Sequence, residues 1–265
     1  MKKYTAFLVI IAAIYSCTDT NKNKKQQEKI SLDVAYTSYE EKSEECNAKE
    51  KRGCAILKVR YPVLKSANND SLNRSLNAVN KSIYSLFSKV FIEFIPEGNL
   101  NLDEKEERLI GSFFKKHKKD QSEFEELIGY ELMNNLEVAY YTNDFVSIDQ
   151  TIMTYAGGAH PNTEIRYKTL DLQSGKEIET YNLLSDTVTL KAIILANIKE
   201  KMKIEPSTNL EEKGFLINDS ELYISNQILI EADSVSFMYN SYDIAPYSYG
   251  NFNIKLAKGA VKMTI

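Results

Sequence analysis

The sequence predicts an α+β fold in two halves, each with helices packed on a mainly antiparallel sheet. Three segments carry apolar residues at the spacing of an amphipathic helix, and eight are rich in β-branched and aromatic residues. A chain of 265 residues is long enough for two domains of ordinary size. We therefore expect an N-terminal half at residues 30–130 and a C-terminal half at residues 131–265.

The first half begins with two predicted strands. Residues 30–39 alternate loosely through Val34, Tyr36 and Tyr39, and residues 53–64 form a second β-rich run with Pro62 near its end. A helix should follow the capping residues at 68–70. Its apolar stripe consists of Leu72, Leu76, Val79, Ile83, Leu86, Phe87 and Val90. A helix with one apolar stripe packs on a sheet through that stripe.

A second, more charged helix is predicted within residues 103–129. Its expected inner face consists of Leu109, Phe113, Phe124 and Leu127. The basic run at 115–119 (KKHKK) lies inside this segment. We interpret the run as a solvated helix face or turn, and contact with a polyanion is the alternative.

The second half is predicted to be mostly strands around one helix. Residues 136–142, 145–155 and 164–172 are β-rich and are separated by turns at 143–144 and 157–158. Residues 187–204 form an amphipathic helix that ends before Pro206. The stripe of that helix consists of Leu190, Ile193, Ile194 and Ile198. Strands are then expected near residues 221–230, 234–239 and 251–256.

The N-terminus has the pattern of an export signal. Lys2 and Lys3 precede an apolar run at residues 6–15, and Cys17 follows directly. The run is shorter than the roughly 20 residues that span a bilayer. We therefore expect residues 1–17 to direct export rather than to remain as a membrane span.

Residues 14–17 (IYSC) resemble a bacterial lipobox, in which the cysteine is acylated and becomes the mature N-terminus. The resemblance implies a lipoprotein anchored to a membrane through Cys17, facing the periplasm or the exterior. Residues 18–29 contain no apolar side chain and are expected to form a flexible tether. The alternative is an ordinary secreted protein in which Cys17 is coincidental.

The charge of the chain argues against a nucleic-acid partner. The formal net charge is -4, and it would become -6 once Lys2 and Lys3 are removed with the signal. Proteins that bind nucleic acids carry a basic patch or stripe. A mildly acidic surface is compatible with a cationic partner.

Cys46 and Cys54 flank a short charged segment at residues 47–53. In an oxidising compartment such a pair forms a disulfide. Closing so short a loop stabilises the fold by about 2–3 kcal/mol. Metal binding is the alternative, but no histidine lies nearby to complete a site.

The sequence contains few residues suited to catalysis. Its only histidines are His117 and His160, and it has no glycine-rich phosphate loop, no Cys-x-x-Cys pair and no Gly-x-Ser-x-Gly elbow. Carboxylates are plentiful, but no pair stands out as the two opposed acids that glycoside hydrolysis needs. We therefore expect a protein without cofactor or metal that is not an enzyme.

Residues 154–162 (TYAGGAHPN) are the first candidate site. Gly157 and Gly158 permit positive φ angles or close backbone approach, and His160 precedes a proline, which favours an extended backbone. One interpretation is a tight connection whose histidine bonds local backbone. The other is a surface loop that presents Tyr155, His160 and Asn162 to a ligand.

Residues 239–250 (YNSYDIAPYSYG) are the second candidate site. Tyr242, Tyr247 and Tyr249 surround Pro246 in one loop. Tyrosine offers a large amphipathic contact area at low entropic cost, which suits an interface. In the alternative interpretation Tyr242 and Ile244 fill the core while Tyr247 and Tyr249 lie at its rim.

These two segments carry a resemblance to a known pair of domains. The matching residues are 157–162 (GGAHPN), 170–176 (LDLQSGK), 182–184 (NLL), 242–247 (YDIAPY) and Gly250. They resemble a domain of unknown function that forms the C-terminal extracellular part of RsiV-type, lysozyme-sensing anti-sigma factors. Residues 59–62 (VRYP), with the Asn77-containing helix after them, resemble its partner domain, and the same pair precedes the catalytic domain of PdaC-type peptidoglycan deacetylases.

The resemblance covers residues 30–265 and implies an α+β fold in both halves, an envelope setting and, in one branch, binding of lysozyme. No segment matching the sigma-factor-binding or deacetylase parts is found in the sequence. We therefore expect a non-catalytic binding or sensing module for a lysozyme-like protein, a peptidoglycan fragment or another envelope protein. The alternative is a cell-wall glycan hydrolase or deacetylase, or its accessory protein.

Overall fold

The computed structural model describes residues 30–47, 53–66, 70–95, 104–123 and 128–264. The predicted signal, Cys17 and the tether at 18–29 lie outside the described residues. The described part contains three α-helices and eight strands in two sheets. The predicted α+β class is therefore confirmed.

The larger sheet contains five strands in the order β1-β2-β3-β4-β5. They are β1 (Leu32–Lys42), β2 (Ala55–Ser66), β3 (Tyr130–Tyr141), β4 (Phe145–Ala156) and β5 (Asn162–Asp171). All neighbours are antiparallel except β2 and β3, which are parallel. A parallel pair needs a long crossover connection, and this one contains α1 (Asp70–Lys89) and α2 (Glu106–Glu123).

The predicted division of the chain at residues 130 and 131 lies inside this sheet. β3 begins at Tyr130 and pairs with β2 through contacts such as Leu57 with Leu132. The change from a helical to a strand pattern near residue 131 thus marks the point where the two-helix crossover ends and the chain re-enters the same sheet as β3. The strand predicted at 136–142 begins earlier in the structure, at Tyr130. The prediction missed this start because residues 133–135 (MNN) have low strand propensity, although they continue the pairing.

The two helices of the crossover cover one face of the large sheet. From α1, the fully buried apolar side chains are Leu76, Val79, Ile83 and Phe87. From α2, they are Leu109, Ile110 and Phe113. The predicted stripes are thus confirmed where they are described, while Phe124 and Leu127 lie outside the described residues. The basic run is part of α2, and Lys116 pairs with Asp120 one turn later. The interpretation as a solvated helix face holds for the lysines of the run and is wrong for His117, which is buried.

The smaller sheet contains three antiparallel strands, β6 (Ile228–Ile230), β7 (Ser234–Tyr239) and β8 (Phe252–Ala257). Helix α3 (Thr187–Lys201) contributes Leu190, Ile194 and Ile198 to its core. The side chain of Asp186 caps α3 by accepting a hydrogen bond from the Thr189 amide at 3.2 Å. The strand predicted at 221–230 is observed only at 228–230. The segment before it is irregular, and there the Ser225 hydroxyl donates to the Met238 carbonyl of β7 at 2.5 Å.

The small sheet is attached to the edge strand β5. Tyr167, Leu229 and Met238 form an apolar cluster between the sheets. The Asn240 side chain accepts from the Ile165 amide at 2.8 Å and donates to the Ile165 carbonyl at 3.0 Å. These bonds cover part of the β5 edge, which would otherwise expose unpaired backbone groups.

Cys46 and Cys54 form the predicted disulfide, with their Cα atoms 4.6 Å apart. The bridge joins the turn at residues 44–47 to the residue before β2. Among the described residues, no group of three histidine, cysteine or acidic side chains is placed to hold a metal ion. Within the same part of the chain, no helix combines the length and hydropathy that crossing a bilayer requires.

Candidate functional site

The two segments singled out in the sequence meet in space. Residues 157–161 connect β4 to β5, and residues 240–251 connect β7 to β8. The His160 ring stacks on the Tyr247 ring, with centroids 3.8 Å apart and planes 15° apart. The Tyr247 hydroxyl also donates to the Pro161 carbonyl at 3.1 Å. Two loops that are distant in sequence thus form one surface, which we call the loop face (His160, Tyr242 and Tyr247).

The first loop depends on its glycines. Gly157 and Gly158 have φ angles of 89° and 97°, in the region that disfavours side chains. A Cβ atom on Gly157 would also lie 2.9 Å from Cγ2 of Ile128. The Tyr155 hydroxyl donates to the Gly158 carbonyl at 3.0 Å, and this bond stabilises the turn. The predicted positive φ angles are therefore confirmed.

His160 is exposed and bonded locally. Its Nδ1 lies 3.1 Å from the Pro161 carbonyl oxygen, which is the backbone contact that the first interpretation of this loop expected. The ring also covers Tyr247, so one face of the imidazole is occupied while the other faces outward. Asn162 is exposed at the start of β5. Both interpretations of the loop therefore describe part of its geometry.

The second loop divides its residues between core and surface. Ile244 is fully buried, whereas Tyr242 is 59% exposed. The alternative in which both residues fill the core is therefore wrong for Tyr242. The reason is the backbone, since Tyr242 has a φ of 73° and its amide donates to the Ala245 carbonyl at 2.9 Å. This tight turn directs Ile244 inward and Tyr242 outward.

Tyr249 lies apart from the loop face. Its ring packs edge-on against Phe215, and its hydroxyl donates to the Lys213 carbonyl at 2.5 Å. Pro246 precedes the single helical turn that carries Tyr247 and Tyr249. The structure thus brings His160, Tyr242 and Tyr247 together, with a Tyr242–Tyr247 centroid distance of 6.2 Å, and leaves Tyr249 to anchor the loop.

A cleft of about 940 Å³ lies beside this region. Its walls come from β5, the start of α3, the irregular segment at 221–227 and the loop after β7. Its chemically distinctive lining residues are Glu164, Tyr181, Val188, Lys191, Tyr223 and Asp243. Because Asp243 follows Tyr242 directly, the cleft is adjacent to the loop face along the chain.

The cleft contains a carboxyl group in an unusual environment. The Asp243 Oδ2 accepts a hydrogen bond from the Asn240 amide at 2.7 Å. Burial raises the pKa of Asp243, the Asn240 hydrogen bond opposes this, and the charge of Glu164 raises the pKa further. Glu164 is itself held by both Nε and Nη2 of Arg166, at 2.6 and 2.7 Å. Asp243 forms no ion pair with any described residue.

Sequence reasoning did not identify the cleft. Tyr181, Val188 and Tyr223 occur in segments without a motif, and only the fold brings them near Asp243. The available signal was Asp243 itself, a carboxylate directly after Tyr242 in the tyrosine-rich loop already selected. Glu164, which also lines the cleft, lies two residues beyond Asn162, the last residue of the other selected segment.

The comparisons with known proteins agree with the predicted pair of domains. Residues 48–163 match the family model described as deacetylase PdaC, and residues 182–258 match the model described as a protein of unknown function, DUF3298. The resemblance predicted from the sequence is therefore confirmed. Among curated proteins, no sequence matches this chain.

Two crystal structures of DUF3298 family proteins share the fold. The protein from Bacteroides fragilis has a TM-score of 0.60 and 16% identity, over 87% of this chain and 92% of that protein. The protein from Pseudomonas aeruginosa has a TM-score of 0.51 and 16% identity, over 88% of this chain and 95% of that protein. At this identity the likeness concerns the fold alone.

Proposed function

We propose that this chain, which pairs a PdaC-like domain with a DUF3298 domain, is a non-catalytic cell-envelope lipoprotein that binds an envelope ligand. The candidate ligands are a lysozyme-like protein, a peptidoglycan fragment or another envelope protein. The observation that carries the proposal is the loop face, where His160 and Tyr247 stack beside the exposed ring of Tyr242. Aromatic side chains of this kind dominate the energetics of protein interfaces.

The loop face is held in place before any ligand arrives. Tyr247 is fixed by its bond to Pro161, and Tyr242 is held at positive φ by its bond to Ala245. A non-glycine residue in this conformation costs of order 1–3 kcal/mol and persists chiefly at functional sites. A surface that is ordered in advance loses less entropy on binding, which favours recognition at this face.

Attachment to the envelope is part of the proposal. It is supported by the apolar leader, the lipobox-like residues 14–17 and the polar segment at 18–29. We expect Cys17 to incorporate radiolabelled palmitate in cells, and Cys17→Ala to abolish both the label and sedimentation with membranes. Equal labelling of the variant would contradict lipidation at this residue.

The binding proposal is tested with immobilised mature chain, residues 18–265. The probes are lysozyme, purified muropeptides and a detergent extract of envelope, with capture measured by surface plasmon resonance and mass spectrometry. Tyr247→Ala should weaken capture at least tenfold, because it removes the stacked ring. Tyr247→Phe keeps the ring and should retain most binding, and Ile92→Ala removes an exposed side chain elsewhere and should change nothing.

Thermal melting of each variant separates loss of binding from loss of fold. If the folded chain captures none of the three probes, or if folded Tyr247→Ala captures them as well as the parent chain, the loop face is not a binding surface.

Absence of catalysis is also part of the proposal. His160 is bonded to local backbone and stacked on Tyr247, an arrangement that suits a contact residue. We expect the purified mature chain to release neither reducing sugar nor acetate from peptidoglycan. The alternative, a hydrolase or deacetylase, predicts turnover that disappears in His160→Ala.

A further inference from the structure

We propose that the cleft beside the loop face is a second binding site, which takes a primary ammonium group on a flexible aliphatic chain. A polyamine and a lysine-type side chain both have this chemistry. The cleft has a volume of about 940 Å³, within the range of about 300–1,000 Å³ that is usual for small-ligand sites. The site does not depend on the function proposed for the loop face.

The charges that line the cleft favour a cation. Three carboxylates (Glu164, Glu221 and Asp243) face a single ammonium group, that of Lys191. Lys191 donates to the Ser220 carbonyl at 2.7 Å. It is therefore already engaged at the cleft wall and offers Asp243 no ion pair.

Asp243 and Glu221 each keep one carboxylate oxygen free of bonds from the described residues, whereas Glu164 is occupied by the two-point contact with Arg166. Glu221 uses Oε2 for the Asn218 amide at 3.0 Å. Asp243 uses Oδ2 for the Asn240 amide, and no hydrogen bond from a described residue reaches Oδ1. Asp243 is exposed at the cleft, so its free oxygen is within reach of a cation supplied by the ligand.

The geometry of Asp243 favours ammonium over guanidinium. A guanidinium group binds carboxylates most strongly through two parallel hydrogen bonds, one to each oxygen. Ammonium is a compact point charge that is satisfied by one oxygen together with other acceptors. Because one oxygen of Asp243 is already engaged, a single contact through Oδ1 is what the site offers.

Tyrosine rings supply the remainder of the site. Tyr181 and Tyr223 both line the cleft, and they are 43% and 45% exposed. Tyr223 is fixed by edge-on packing against Tyr239, whose hydroxyl donates to the Tyr223 carbonyl at 2.7 Å. The faces of such rings attract cations and cover the methylene groups next to them. Together with exposed Val188, they suit an aliphatic chain that ends in an amine.

The experiment titrates the mature chain with cadaverine, spermidine and N-acetyl-lysine methylamide, using isothermal calorimetry at low salt. N-acetyl-norleucine methylamide is the matched neutral probe, because it lacks only the terminal amino group of the lysine chain. We expect at least one of the three amines to bind. If the lysine probe binds, the norleucine probe should bind at least tenfold more weakly. Selective binding of the two free amines identifies a polyamine site, and binding of the lysine probe identifies a peptide site.

Variants locate the binding within the molecule. Asp243→Asn keeps an acceptor for the Asn240 amide and should weaken amine binding at least tenfold. Glu200→Gln removes the same charge on an exposed part of α3, about 13 Å along the helix from Lys191, and should have no more than a twofold effect. The proposal fails if no amine binds at millimolar concentration, or if Asp243→Asn binds amines like the parent chain.

The loop face is separated from the cleft by Tyr247→Ala, which should leave amine binding unchanged. If the parent chain captures envelope material but binds no amine, only the proposed cleft site is contradicted. If the parent chain binds an amine but captures no envelope material, only the function proposed for the loop face is contradicted.

Discussion

Gly175 occupies a turn after β5 that contacts the middle of α1. It has a φ of 69°, and a Cβ atom there would lie 2.5 Å from the Ala78 carbonyl carbon and 2.7 Å from the Val79 amide nitrogen. The Ser82 hydroxyl donates to the Gly175 carbonyl at 2.6 Å and fixes this close approach. Because backbone atoms of a buried helix cannot move aside, the turn has no space for a side chain.

We expect Gly175→Ala to lower the free energy of unfolding by about 3 kcal/mol or more, since strain at positive φ adds to a backbone clash. Gly250→Ala is the control for strain without a clash, because Gly250 also has a φ of 69°, with a ψ of -160° that is essentially restricted to glycine, and no atom lies within 4 Å of the added Cβ. Strain alone should cost it about 1–3 kcal/mol, and the loss at Gly175 should be larger. Urea denaturation measures both, and equal losses would show that the contact with α1 is unimportant.

The residues of the candidate site were predictable one by one but not as a set. Gly157 and Gly158 indicated positive φ, and the tyrosine-rich loop indicated a surface, because these properties belong to the local sequence. The stack of His160 on Tyr247 and the position of Asp243 in a cleft depend on how β5 and β7 are brought together. No local pattern encodes that arrangement.

At the scale of elements, the end of α1 is fixed by two buried amides of the large sheet. The Asn134 side chain donates to the Phe87 carbonyl at 3.1 Å, and the Gln150 side chain donates to the Leu86 carbonyl at 3.2 Å. Gln150 also donates to Asn134 Oδ1 at 2.9 Å. The last carbonyls of a helix lack partners within it, so these amides join the helix end to β3 and β4.

Asn134→Ala should lower the free energy of unfolding by about 2–3 kcal/mol, because it leaves buried groups of Phe87 and Gln150 unpaired. Asn135→Ala serves as the control, since Asn135 points to the opposite face and is half-buried. Its effect should stay within about 0.5 kcal/mol. Comparable losses in urea denaturation would mean that the helix end is held by packing alone.

The elements themselves followed closely from the sequence, whereas their pairing did not. The stripe from Leu72 to Val90 predicted α1 nearly to its ends, because amphipathic spacing reflects burial directly. The parallel pairing of β2 with β3 was missed, since it joins residues about 75 positions apart across a two-helix crossover. For this reason the predicted boundary at residues 130 and 131 fell inside a sheet.

For the whole molecule, the contact between the two sheets contains a charged group. Asp149 pairs across β4 and β5 with Tyr167, which belongs to the apolar cluster between the sheets. Its Oδ1 has no hydrogen-bond partner among the described residues. Burial raises the pKa of Asp149, and the charges of Glu137 from the large sheet and Glu231 from the small sheet raise it further.

This pKa makes stability depend on pH in a defined direction. Below the ordinary value of 3.8, Asp149 is protonated in both the folded and the unfolded chain and contributes no difference. Between that value and the raised pKa, the folded chain binds more protons than the unfolded chain. The free energy of unfolding therefore falls as pH rises through this window, and the full penalty is reached above the raised pKa.

Asp149→Asn should remove that penalty and raise the free energy of unfolding by about 1 kcal/mol at pH 7, since an amide carries no charge to bury. The unpaired Oδ1 is common to both side chains, so its cost cancels. The gain over the parent chain should shrink towards zero as the pH approaches 3.8, because the parent carboxyl is then neutral.

Asp33→Asn, on an exposed position of β1, makes the same change of net charge and should alter stability by less than about 0.5 kcal/mol at every pH. Urea denaturation from pH 3.5 to 8 measures these differences. A gain that is independent of pH, or one that Asp33→Asn reproduces, would show that the charge between the sheets does not control their stability.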